Sequence, residues 1–169
     1  MNKIFVLGSI NIDFVYQIDR LPKRGETIKS EKFFMATGGK GANQAVTTAK
    51  QQAETIMLGS ISNDELSRIC LDSLALHNVN TKFIEIYPNV SCGNALVILE
   101  NNDNRIITSS GANKFHDINK IKHILNDNSM ENDLLLAQLE IPLEVIQTAF
   151  IKAKALNMIT VLNAAPATK

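Results

Sequence analysis

Two stretches of this sequence bring together residue types that could hold a polar ligand. In the first, Ser9-Ile10-Asn11-Ile12-Asp13 follows the apolar run Ile4-Phe5-Val6-Leu7, which Gly8 closes. If the segment stays extended, Asn11 and Asp13 project to one side, because side chains alternate across a strand. A carboxylate beside an amide can hold a vicinal diol: the carboxylate accepts from hydroxyls, and the amide both donates and accepts. The same pair equally suits an Asx turn that closes the loop. The second stretch, Thr37-Gly38-Gly39-Lys40-Gly41-Ala42-Asn43-Gln44, runs three glycines and a lysine into a helical pattern. Glycine lets backbone adopt positive φ and approach a ligand closely. Unpartnered first-turn N–H groups and the positive end of the helix dipole favour anions and oxygen-rich ligands at that position. A glycine-rich turn that only starts a helix has the same composition.

Two phosphate-binding motifs are excluded here. A Walker A loop needs a hydroxyl after its lysine, and Lys40 is followed by Gly41 and Ala42. The dinucleotide fingerprint would need glycine where Gln44 stands.

The elements that must position these stretches follow from periodicity. From Ala42, the residues Ala45, Val46, Ala49 and Ala53 recur at helical intervals, with Gln44, Thr47, Lys50 and Gln51 between them. Ile4 to Leu7 is continuously apolar, as expected of a strand buried on both faces of a parallel sheet. Strands are also expected at Thr55 to Leu58, Lys82 to Ile86, Asp133 to Ala137 and Met158 to Leu162. Helices are expected from about Asp64 to Leu76, Ile118 to Leu125 and Leu143 to Leu156. This rhythm predicts a doubly wound, mostly parallel α/β sheet flanked by helices. A second rhythm interrupts it. Phe14, Tyr16 and Ile18 alternate with polar or smaller residues, a turn follows at Leu21 to Glu26, and a further strand is expected around Ile28 to Met35. Gly93 to Leu99 and Arg105 to Ser110 flank the polar run Asn101-Asn102-Asp103-Asn104 as an antiparallel hairpin. These four strands are expected to form one small sheet.

At 169 residues, 45% hydrophobic and 20% charged, the chain can bury one good core, and one domain is the default. Seventeen basic and seventeen acidic side chains give zero formal charge, which removes the electrostatic argument for a nucleic acid or an anionic membrane surface. No apolar run approaches the roughly 20 residues that span a bilayer, so a cytoplasmic location is expected. Cys70 and Cys92 are read as free thiols. His77, His116 and His123 lack partners at metal or triad spacing and are read as surface or helix-end residues.

Six segments together resemble the N-terminal half of the ribokinase family of ATP-dependent sugar and nucleoside kinases. They are Gly8-Ser9-Ile10-Asn11-Ile12-Asp13, the turn from Leu21-Pro22 to Gly25-Glu26, Gly38-Gly39-Lys40-Gly41-Ala42-Asn43-Gln44-Ala45, Gly111-Ala112-Asn113, Gln138-Leu139-Glu140 and Asn163-Ala164-Ala165-Pro166-Ala167. The resemblance covers essentially residues 1–169. It implies that Asn11 and Asp13 bind sugar hydroxyls, that Gly39, Lys40, Gly41 and Asn43 close over the same sugar, and that Glu140 is a second sugar carboxylate. An acid just before Pro142 is also what a helix N-terminus favours. The small sheet, at about 14–36 and 91–110, would be the family's discontinuous lid, through which two copies pair as a homodimer. The expected reaction is transfer of phosphate from ATP to D-ribose, giving D-ribose 5-phosphate. Fructose, deoxyribose or a nucleoside are the alternatives within the family, and a non-catalytic sugar-binding module is the alternative outside it. ATP, Mg²⁺ and a monovalent cation such as K⁺ are implied, bound mostly by a second half. That half also carries the Gly-Ala-Gly-Asp motif with the catalytic base and is not present before Lys169. The 169-residue chain is therefore expected to be a truncated, inactive part of a kinase, with no catalytic residue and no metal site of its own.

Overall fold

Ile4–Leu7 forms the inner strand β1, and its apolar residues divide between two layers in a computed structural model that describes residues 2–167. Phe5 and Leu7 pack into one cluster and Ile4 and Val6 into another, so the unbroken apolar run serves both faces of a sheet. In chain order the following elements are β2 (Asn11–Gln17), β3 (Lys32–Gly38), α1 (Lys40–Lys50), β4 (Thr55–Leu58), β5 (Ser60–Ile61) and α2 (Glu65–Leu76). After them come β6 (Glu85–Ile86), β7 (Gly93–Glu100), β8 (Asp103–Ser109), a 3₁₀ turn at Gly111–Lys114, α3 (Ile118–Asn128), β9 (Leu134–Gln138), α4 (Leu143–Ala155) and β10 (Ile159–Asn163).

The main sheet has the order β10-β9-β1-β4, parallel throughout. Ile121, Ile124 and Leu125 of α3 join Val145, Ile146 and Ala149 of α4 on the face that carries Phe5, Leu7, Leu135 and Ala137. Ala42 and Ala45 of α1 and Cys70 and Leu74 of α2 cover the opposite face over Val6 and Met57. Each such large side chain contributes about 1.5–3 kcal/mol when fully withdrawn from water. The doubly wound α/β expectation therefore holds. Cys70 and Cys92 are free and buried, as expected.

The second sheet has the order β3-β2-β7-β8, with β2 and β7 parallel and the outer pairs antiparallel. Three details differ from expectation. First, the strand placed at Phe14 begins at Asn11, and the one placed at Ile28 to Met35 runs from Lys32 to Gly38. Asn11 thus pairs with Gly38, which brings the two sequence stretches side by side at the base of this sheet. Secondly, the hairpin turn is only Asn101-Asn102, with φ of 49° and 63°. Asparagine tolerates the left-handed region, and two such residues match the twist of a tight hairpin, which frees Asp103 and Asn104 to join β8. Thirdly, the strand expected at Lys82 to Ile86 contracts to Glu85–Ile86 and pairs with β5 outside the main sheet. Its first half is spent on a turn, in which Ile84 N donates to Thr81 O at 3.1 Å.

Candidate functional site

Asn11 and Asp13 lie on the same face of β2, two residues apart, where that strand leaves the carboxyl end of β1. Asn113 sets the direction of the Asn11 amide. Its Oδ1 accepts from Ile10 N at 2.9 Å and its Nδ2 donates to Ile10 O at 3.2 Å, so two backbone groups determine which end is which. Asn113 Nδ2 also donates to Asn11 Oδ1 at 2.8 Å. That bond points Asn11 Oδ1 toward Asn113 and leaves Asn11 Nδ2 without a protein acceptor among the described residues, so the amide keeps a donor for the cleft. Asp13 accepts no hydrogen bond from the described residues. Burial, then the negative charge of Glu140, raises its pKa above the usual carboxylate range, and the Lys40 ammonium only partly offsets this.

Gly39 caps α1 with a φ of 90°, a conformation that side chains other than glycine's rarely adopt. The first turn of α1 does not leave its amides free. Lys40 N donates to Glu140 Oε2 at 2.8 Å, Gly41 N to Ser9 Oγ at 3.3 Å and Ala42 N to Ser9 O at 2.9 Å. Anion capture at this helix end is therefore met by the protein's own Glu140. Ser9 Oγ donates to the same carboxylate at 2.6 Å, and Lys40 Nζ stands 3.2 Å from Glu140 Oε1. Burial alone would raise the Glu140 pKa, but the Ser9 and Lys40 hydrogen bonds and the Lys40 charge outweigh it and hold the carboxyl below its ordinary value. The two carboxyls are thus shifted in opposite directions, Glu140 by the donors that hold it and Asp13 by burial without one.

These residues enclose one cleft of about 680 Å³ between the main sheet's carboxyl edge and the second sheet. Asn11, Asp13, Gly39, Lys40, Asn43 and Glu140 all line it. Asn43 is exposed, and its side chain has no partner among the described residues. Gly41 does not line the cleft. It is buried where a Cβ would come within 2.6 Å of Gly8 C and Ser9 N, so its glycine serves the close passage of α1 over the β1–β2 connection. Ser9, Asn113, Thr108, Ser110 and Lys114 complete the polar lining, and Val97, Ile106 and Ile141 supply apolar wall. These are the residues that sequence reasoning passed over. Ser9 and Asn113 had a signal, since both sit in the short motifs quoted above, but their roles depend on contacts more than a hundred residues apart in sequence.

Among the described residues no group of three or more His, Cys, Asp or Glu side chains could hold a metal ion, and the α1 amides are engaged. The first-turn amides of α1 are therefore not free to hold a nucleotide phosphate. Among the described residues no helix is long and apolar enough to cross a membrane.

The family model for pfkB family carbohydrate kinases matches residues 1–168. Ribokinase from Bacillus subtilis is 34% identical over 168 residues, covering 99% of this chain and 57% of its own length. Deoxyribokinase from Salmonella typhi is 34% identical over 165 residues, covering 97% of this chain and 54% of its own. Among solved structures, a ribokinase from Arabidopsis thaliana complexed with ribose and ATP superposes with a TM-score of 0.82 at 28% identity, covering 97% of this chain and 54% of that one. The chain spans about half the length of these relatives.

Proposed function

Because the chain belongs to the pfkB family of carbohydrate kinases, we propose that its cleft is the acceptor-sugar site of an ATP-dependent kinase that converts D-ribose to D-ribose 5-phosphate. The observation that carries this is the convergence of Asn11, Asp13, Lys40, Asn43 and Glu140 on one cleft, although they are spread over 130 residues of sequence. Two carboxylates provide acceptors for sugar hydroxyls, and Asn11 Nδ2, Asn43 and the Lys40 ammonium provide donors. Gly39 lines the floor, and Gly41 supports it from beneath. The β3-β2-β7-β8 sheet, within about 14–36 and 91–110, acts as the lid of this site and as the surface through which two copies form a homodimer.

ATP supplies the transferred phosphoryl group. Phosphoryl transfer depends on positioning and on stabilising charge at the transferred group. ATP, Mg²⁺ and a monovalent cation such as K⁺, implied by the family, are assigned mostly to the part of the relatives' length that this chain does not span, as is the base that activates the sugar hydroxyl. On this reading residues 1–169 alone bind the acceptor sugar and transfer no phosphate. The kinase works in the cytoplasm, where ATP is supplied.

The test is ATP-dependent phosphorylation of D-ribose, 2-deoxy-D-ribose and D-fructose by the gene product, with residues 1–169 expressed alone beside it. Ribose is expected to have the highest kcat/KM. Preference for 2-deoxy-D-ribose would favour the second reading, which the equal identity to a deoxyribokinase supports. Turnover by residues 1–169 within tenfold of the gene product would show that the catalytic groups lie in this part.

A further inference from the structure

Gln138 ends β9 two positions before Glu140, yet it does not reach the cleft. Its side chain is fully enclosed. Nε2 donates to Gln44 Oε1 at 2.5 Å, while Oε1 is buried and has no hydrogen-bond partner. A hydrocarbon side chain of similar size would leave no polar atom unpaired, so what the amide contributes lies in its bond to Gln44.

Gln44 stands one helical turn after Lys40 on α1. The end of β9 and the start of α1 are therefore joined twice: by Gln138 to Gln44, and by Glu140 to Lys40 N at 2.8 Å and Lys40 Nζ at 3.2 Å. The two links differ in surroundings. The Lys40 side chain is 38% exposed, and a solvent-facing ion pair does little to hold its own geometry against side-chain entropy. The other link is more sheltered, since its Gln138 end is fully buried and Gln44 is only partly exposed, and a hydrogen bond withdrawn from water is electrostatically stronger. Gly8 adds a steric limit: a Cβ there would overlap Gln138 Oε1 and come within 2.9 Å of Gly41 Cα. The carboxamide thus packs where the end of β1, β9 and α1 meet, in space that the lack of a side chain at Gly8 leaves open.

We infer that Gln138, acting through Gln44, is a positioning residue that sets α1 against the end of β9 and so holds Lys40 and Glu140 in register. Its effect on sugar affinity rests on the acceptor-site assignment above; its effect on Glu140 does not. The experiment uses the gene product with Gln138→Leu, Gln44→Leu and both together. The Glu140 carboxyl is followed by ¹³C NMR through a pH titration, and steady-state kinetics are measured with D-ribose. Each single variant is expected to raise the Glu140 midpoint by at least about half a pH unit, as its bonds to Ser9 and Lys40 loosen. Each should also raise KM for ribose at least threefold while changing kcat less than twofold. The double variant should go no further than the larger single effect, because both substitutions remove one bridge. An unmoved Glu140 midpoint in a folded variant, or single effects that add in full, would overturn the inference. Should Gln138→Leu fail to fold, the partly exposed Gln44→Leu decides the matter on the same readouts. If the parent phosphorylates none of the sugars, the acceptor-site assignment falls, and the Glu140 titration still decides the positioning role.

Discussion

Replacing Asp13 with asparagine should separate binding from stability, because the structure gives the carboxylate opposite effects on the two. Asp13 accepts no hydrogen bond from the described residues, and burial and the Glu140 charge raise its pKa. For an acid this means the folded state holds the proton more tightly than the unfolded chain does. Its contribution favours folding at low pH and is lost as pH rises through the unfolded and then the raised folded pKa. At neutral pH the empty site therefore carries an unsatisfied, repelled charge. Asp13→Asn keeps the shape and removes that charge, so the melting temperature at pH 7 should equal or exceed the parent's. Sugar binding should move the other way. A charged hydrogen bond to a hydroxyl contributes about 1.5–3 kcal/mol, which corresponds to a rise in KM or Kd of about 10- to 150-fold. In the parent, affinity should weaken on acidification as Asp13 protonates, above the usual aspartate range, whereas Asp13→Asn should show a flatter profile there. Differential scanning fluorimetry and ribose titrations between pH 4 and 8 measure both. A variant that melts several degrees lower, or that binds ribose as the parent does, would refute the reasoning.

Other outcomes follow from particular contacts. His116 stands just before the N-cap of α3, a helix-end position, but half-buried: its Nε2 is buried without a partner among the described residues, and burial lowers its pKa to about 4. A histidine held neutral in this way favours folding above its unfolded pKa and loses that contribution as pH falls from about 6.5 to about 4, by up to about 3 kcal/mol. Urea denaturation across that range should show a shallower pH slope for His116→Phe. Gly41→Ala should destabilise the fold and lower the urea midpoint, since a Cβ there meets Gly8 and Ser9 backbone at 2.6 Å; an unchanged midpoint would show that α1 can shift. The second sheet exposes Phe33 at 50% on the side away from the cleft and Phe34 at 48% on the cleft side. If the lid pairs two copies, glutamate at one of these positions should shift sedimentation toward monomer, and no shift from either would dismiss the lid dimer.

The main sheet was legible in the sequence because its inner strands are continuously apolar and buried and its helices carry clear periodicity, although β10 at its edge stays largely exposed. The second sheet was legible as four strands, but its boundaries were not. Asn11 and Asp13 looked like loop residues because polar side chains at a strand's start resemble an Asx turn, and only pairing with Gly38 and Gly93 shows them to be strand. Lys82 to Ile86 has strand composition, yet the turn at Thr81 takes its first residues. The cleft residues were legible as motifs, whereas their chemistry was not: nothing local says that Lys40 N is spent on Glu140, or that Asn113 orients the Asn11 amide.

One strand, β2, belongs to both the site and the sheet that covers it, which constrains how the two can work together. Its first residues are tied to the core: Cys70 Sγ on α2 donates to Asn11 O at 3.3 Å, Asn113 brackets Ile10, and Ile12 is buried. Thr37 on the neighbouring β3 shares a hydroxyl hydrogen bond with Ser73 of α2 at 3.0 Å. By Tyr16, and along all of β8, the sheet is exposed. On the proposed reading, a movement of the outer sheet would be taken up toward β8 rather than at the base of β2, since the buried contacts at that base cost more to break than solvated ones. Asn11 and Asp13 would then keep their register against Lys40 and Glu140, while Val97 and Ile106 stand higher on the same face. The polar lining is anchored in the core, and the apolar wall is carried by the outer sheet.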